Sequence, residues 1–195
     1  MRLIDAEEMY QWVLRAADNT AEKGINKQNF NLPQAEINVH FETAAYIYSV
    51  LFDVKEGVAE KAIKKTAETY TRGNMTGVEG AGKEIREHIT KMGGGKKTFS
   101  EKEMKKLLKE LIEELFRRGG RRYNNYHREQ GYHTYFIVMY TLYDIVFHLW
   151  GGNYLDTHWA LERTIKNITV EKQKTSYIEL YKSNLEERLN HQEKI

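Results

Sequence analysis

Apolar residues recur along most of this chain at spacings of three and four, with polar residues between them. Met9, Trp12, Val13, Ala16 and Ala17 form the first such stripe; Asp5 and Glu8 open it at capping-box spacing, and Gly24 is placed to end it. A polar loop from Ile25 to Leu32 follows, and Pro33 is positioned to enter the next helix in its first turn. Ile37, Phe41, Ala44, Ala45, Tyr48, Leu51 and Phe52 carry a second stripe as far as Gly57. Val58, Ala62, Ile63, Thr66, Ala67 and Tyr70 carry a third to Gly73, and Ile85, Ile89 and Met92 mark a shorter helix.

Ser100 and Glu103 then form a capping box before Met104, Leu107, Leu108, Leu111, Ile112, Leu115 and Phe116, a strongly amphipathic helix. From about Tyr132 to Trp150 the chain is apolar nearly all round, which predicts the centre of a bundle. Gly151-Gly152-Asn153 turns it into helices from about Leu155 to Ile168 and about Thr169 to Asn190. No stretch alternates with period two for long enough to require a strand. The expected fold is all-α, a bundle of about eight helices around the apolar helix near 132–150. One domain over 1–195 accommodates it. The Gly/Lys segment 93–99 is where a sub-division into 1–92 and 100–195 would fall.

Composition narrows the class. With 41% hydrophobic and 30% charged residues the chain reads as soluble and globular rather than disordered. It contains no cysteine, which removes disulfides and thiolate metal sites and suits a cytoplasmic location. The N-terminus lacks an apolar signal core, and the run Tyr135–Trp150 is short for a bilayer and carries Asp144 and His148, so no membrane association is expected. The opening Met1–Ala6 and the Lys/Glu/Ile/Tyr/Asn-rich usage resemble small accessory proteins of bacteria with AT-rich genomes and their phages.

Charge is unevenly distributed. Residues 96–128 hold eleven Lys/Arg and five Glu, a net +6, so the rest carries −4, the difference from the chain's +2. The densest part is Arg117, Arg118, Arg121 and Arg122 around Gly119-Gly120, followed by Tyr123, Tyr126 and Arg128. Arginine matches phosphate and carboxylate bidentately, tyrosine offers a flat face, and the glycines let a ligand approach the backbone. This predicts that segment 117–133 engages an anionic partner, either nucleic acid or an acidic protein face. Arg117 and Arg118 have a purely structural alternative in offsetting the negative end of the preceding helix; Arg121 and Arg122, expected beyond that end, do not.

Three other patterns carry chemistry. Gly77 to Lys83 satisfies G-x-x-x-x-G-K, but Glu84 stands where a P-loop needs Ser or Thr for magnesium, and no strand precedes it. Arg122-x4-His127 and Arg128-x4-His133 resemble the R-x4-H motif of the all-helical HEPN-type ribonucleases. That resemblance implies catalytic roles for Arg122 and His127, usually across a homodimer. Asp144/His148 and His158/Glu162 are i, i+4 pairs on two helices joined by the Gly-Gly turn. Such a set can bind a divalent metal as a hydrolase does, or form a buried hydrogen-bond network. Binding rather than catalysis is the expected role, without a cofactor. The alternative is an enzyme, either an R-x4-H ribonuclease or a metal-dependent hydrolase on the 144–162 hairpin.

Overall fold

The computed structural model describes residues 5–30, 32–71 and 80–125. The chain divides into two compact units, Met1–Ile145 and Val146–Ile195, and every described residue belongs to the first. Among the described residues there are five α-helices and no strand: α1 (Ala6–Asn29), α2 (Gln34–Leu51), α3 (Glu56–Thr71), α4 (Ala81–Lys91) and α5 (Glu101–Asn125). The apolar stretch 132–150, expected at the centre of the bundle, lies outside them. Within them, α1 packs against α2, α3, α4 and α5 in turn, most extensively against α2.

α1 begins where the cap predicts, with the Asp5 carboxylate accepting from the Glu8 amide at 2.8 Å. It does not stop at Gly24. A β-carbon there would lie 2.7 Å from Phe41 Cε1 and 2.9 Å from His40 Cβ, so the glycine serves close approach of α1 to α2 rather than termination. Ile25, expected in a loop, is fully buried and extends the stripe, and the helix runs on to Asn29. Pro33 caps α2 instead of occupying its first turn, and Lys27 pairs with Glu36 at 2.9 Å across the connection.

α2 ends at Leu51, before the expected Gly57. Asp53 takes a left-handed conformation (φ 53°), and the Val54 amide reaches back to the Ser49 carbonyl at 3.1 Å, which closes the helix with a Schellman-type cap. Gly57 lies instead in the first turn of α3. Nearly every side of α2 is covered, since Val39, His40, Phe41 and Thr43 are all buried together with the predicted stripe. Met92, placed in the α4 stripe by spacing, follows that helix and stays exposed.

The Gly93–Phe99 segment is fastened to the helices beside it. Gly95 and Lys97 donate to the carbonyls of Phe52 and Leu51 at 3.0 and 2.9 Å, satisfying acceptors that the end of α2 leaves open. Lys96 reaches Glu7 at 2.8 Å and stands 4.7 Å from the Tyr10 ring centroid. α5 then starts with a reciprocal capping box: the Ser100 amide donates to Glu103 at 2.8 Å and the Glu103 amide to Ser100 Oγ at 3.3 Å. No helix among the described residues is long and apolar enough to cross a membrane.

Candidate functional site

The basic segment is built on α5. Met104, Leu107, Leu108, Leu111 and Leu115 hold this helix to the rest of the fold. Spacing and the glycine pair suggested an end before Arg121, but the helix continues through Gly119-Gly120 to Asn125. Two interior glycines cost a helix about 2 kcal/mol together, so something outside the helix must offset them. Arg118, immediately before the pair, is positioned to do so.

Arg118 is held on three sides. Its Nη1 and Nη2 both donate to the Glu56 carboxylate, the second at 2.9 Å, and its Nε donates to Glu114 at 2.8 Å. Its guanidinium carbon also stands 4.3 Å from the Tyr46 ring centroid. These contacts join α5 to the first residue of α3 and to α2. The hydrogen bonds to Glu56 raise the Arg118 pKa above its ordinary value against the opposing effect of burial, and burial raises that of Tyr46. Glu114 was legible as an i−4 partner; Glu56 and Tyr46 are distant in sequence and carry no local signal.

An unbroken helix changes what the other arginines can do. At about 100° per residue, positions 117, 121, 118 and 122 span about 140° of α5, an arc whose far end meets the row of Met104, Leu111 and Leu115. Arg121 and Arg122 therefore do not lie past a helix end, as expected, but on the continuing helix with Tyr123. Arg118 and Arg122 share one i, i+4 row, and Arg117 and Arg121 share the neighbouring row. Tyr126, His127, Arg128 and His133 lie outside the described residues, as do all four residues of the acid–histidine hairpin, Asp144, His148, His158 and Glu162.

The glycine-rich stretch before α4 has a structural role where it is described. Gly80 is the left-handed N-cap (φ 97°). The Gly82 amide points to Glu22 at 3.4 Å, and Gly82 lies against the Asp18 side chain. Carboxylates of α1 thus stand at the helix start, where a P-loop would cradle phosphate. Asp18 accepts the Tyr48 hydroxyl at 2.6 Å and pairs with Arg86, so one carboxylate ties α1 to α2 and α4.

No family model, no curated protein and no solved structure matches the chain.

Proposed function

We propose that this is a non-catalytic binding protein that engages an anionic partner through segment 117–133, with Arg117, Arg121, Arg122, Tyr123, Tyr126 and Arg128 as the contact residues. The observation that carries the reading is the continuity of α5 through Gly119-Gly120, which places all four arginines on a single helix. In this reading Arg118 is the anchor, because Glu56 and Glu114 already occupy its donors, and the remaining arginines are the reading head. A helix rich in arginine with tyrosines next to it suits phosphate groups and bases. The proposal places the protein in the cytoplasm, in keeping with its lack of cysteine, and keeps a bundle of about eight helices around 132–150.

The test is titration of fluorescent single-stranded RNA, duplex DNA and polyglutamate with wild type and the Arg121→Ala/Arg122→Ala variant. One of the three probes should bind, and the double variant should weaken it by about tenfold or more. For a nucleic acid, the salt dependence should fall by about one unit of slope per phosphate contact removed. Unchanged binding by the double variant would overturn the assignment.

A further inference from the structure

A groove of about 470 Å³ runs between α1 and α4. Tyr10, Leu14 and Phe52 give it an apolar floor, while Lys83, Arg86, Lys91 and Lys96 stand around it. Two of these cations are already engaged, Arg86 by Asp18 and Lys96 by Glu7 and the Tyr10 ring. Lys83 and Lys91 are exposed and make no ion pair with another described residue. Glu87 lies one helical turn from each of them, so this row of α4 presents two positive charges for one negative.

Size and chemistry both limit what such a groove accepts. Its volume lies within the range of about 300–1,000 Å³ typical of small-molecule sites. An uncharged apolar molecule would gain nothing from the two exposed lysines, and a small inorganic anion would leave the floor uncovered. A ligand carrying both an apolar body and an acidic group answers both.

We propose that the α1/α4 groove binds a small amphiphilic anion, with its aromatic or aliphatic body on Tyr10, Leu14 and Phe52 and its acidic group at the Lys83 or Lys91 end of the rim. These two lysines are eight residues apart on α4, about 12 Å along the axis, so a single acidic group engages one of them. The site is carried by α1 and α4 and is independent of the partner surface assigned to α5.

The probe pair 8-anilinonaphthalene-1-sulfonate and its uncharged analogue N-phenyl-1-naphthylamine tests the assignment, in protein with a cooperative melting transition. The sulfonate should saturate one site on wild type. Either Lys83→Glu or Lys91→Glu should weaken it by about tenfold while changing the uncharged analogue by less than about threefold. Leu14→Trp should exclude both probes by filling the floor. Absence of saturable sulfonate binding by wild type would overturn the proposal, as would sulfonate affinity unchanged in both charge reversals. Both reversals are at exposed positions, so this result stands even if the Leu14 variant fails to fold.

Discussion

Gly82 and Asp18 meet so closely that a β-carbon on the glycine would lie 2.7 Å from Asp18 Cβ. Asp18 cannot easily retreat, because it accepts from Tyr48 and pairs with Arg86. Tyr48 is fully buried, and burial followed by the Asp18 charge holds its pKa well above the usual value, so it remains a donor at neutral pH. Gly82→Ala must therefore lift α4 from α1, with an expected loss of about 1–3 kcal/mol. Gly57→Ala is the matched control: the glycine is exposed in α3 with nothing within 4 Å of an added β-carbon, so the change should gain about 0.5–1 kcal/mol. Urea midpoints moving the same way for both would show that α4 is not seated on Asp18.

These glycines also show what the sequence could and could not reveal. Local signals read correctly: the Asp5 and Ser100 caps, the buried stripe of α2, the buried Met9, Val13, Ala16 and Ala17 of α1, the buried Met104, Leu107, Leu108, Leu111 and Leu115 of α5, and the all-helical class among the described residues. A glycine carries two meanings that spacing does not separate. Gly24 looked like a stop and is a helix-packing contact, while Asp53, with no glycine to announce it, makes the left-handed turn that ends α2. The α1/α4 groove was invisible for a related reason. Tyr10 and Lys91 are distant in sequence, and only tertiary packing brings them to one cavity.

The Asp53 turn gives a direct prediction. A non-glycine residue at positive φ carries a cost of about 1 kcal/mol, and Asp53 is exposed with φ 53°. Asp53→Gly should raise stability by about 0.5–1 kcal/mol, and Asp53→Val should lower it, because a β-branched residue tolerates this region poorly. Thermal denaturation of the two variants decides it; a glycine variant less stable than wild type would mean that the aspartate side chain contributes something its backbone conformation does not.

His40 should make the fold acid-sensitive. It is buried on α2 against α1, and neither ring nitrogen has a hydrogen-bond partner among the described residues. Burial, reinforced by Lys27 and Lys23 of α1, depresses its pKa to about 3. Above about pH 6.5 the ring is neutral in both the folded and the unfolded chain and contributes no pH dependence. Below that the unfolded chain takes up a proton that the folded chain refuses, so stability falls as pH falls, by about 2 kcal/mol at pH 5 from this residue alone. The decline should continue to near pH 3. His40→Leu should lose correspondingly less between pH 7 and pH 5 than wild type in chemical denaturation. Equal losses would place the imidazole in contact with water or a partner.

Arg118 and its neighbours should separate stability from binding. Arg118 has a bidentate partner in Glu56, a second in Glu114 and a ring beneath it in Tyr46, all partly exposed, so solvent screening moderates the gain. Arg118→Ala should cost about 1–2 kcal/mol and loosen the end of α5 beyond the glycine pair. Arg118→Lys should recover less than half of this, since a point charge reproduces neither the fork nor the stacking. The Arg121→Ala/Arg122→Ala variant should stay within about 0.5 kcal/mol of wild type while losing the anionic partner. Urea midpoints and probe titrations on the same preparations distinguish the roles. If the double variant is destabilised as much as Arg118→Ala, those arginines belong to the fold, and the continuity of α5 no longer argues for a partner. If Arg118→Ala leaves the midpoint unchanged, the contacts with Glu56 and Tyr46 do not hold α5 in place, and the helix must carry its two glycines by other means.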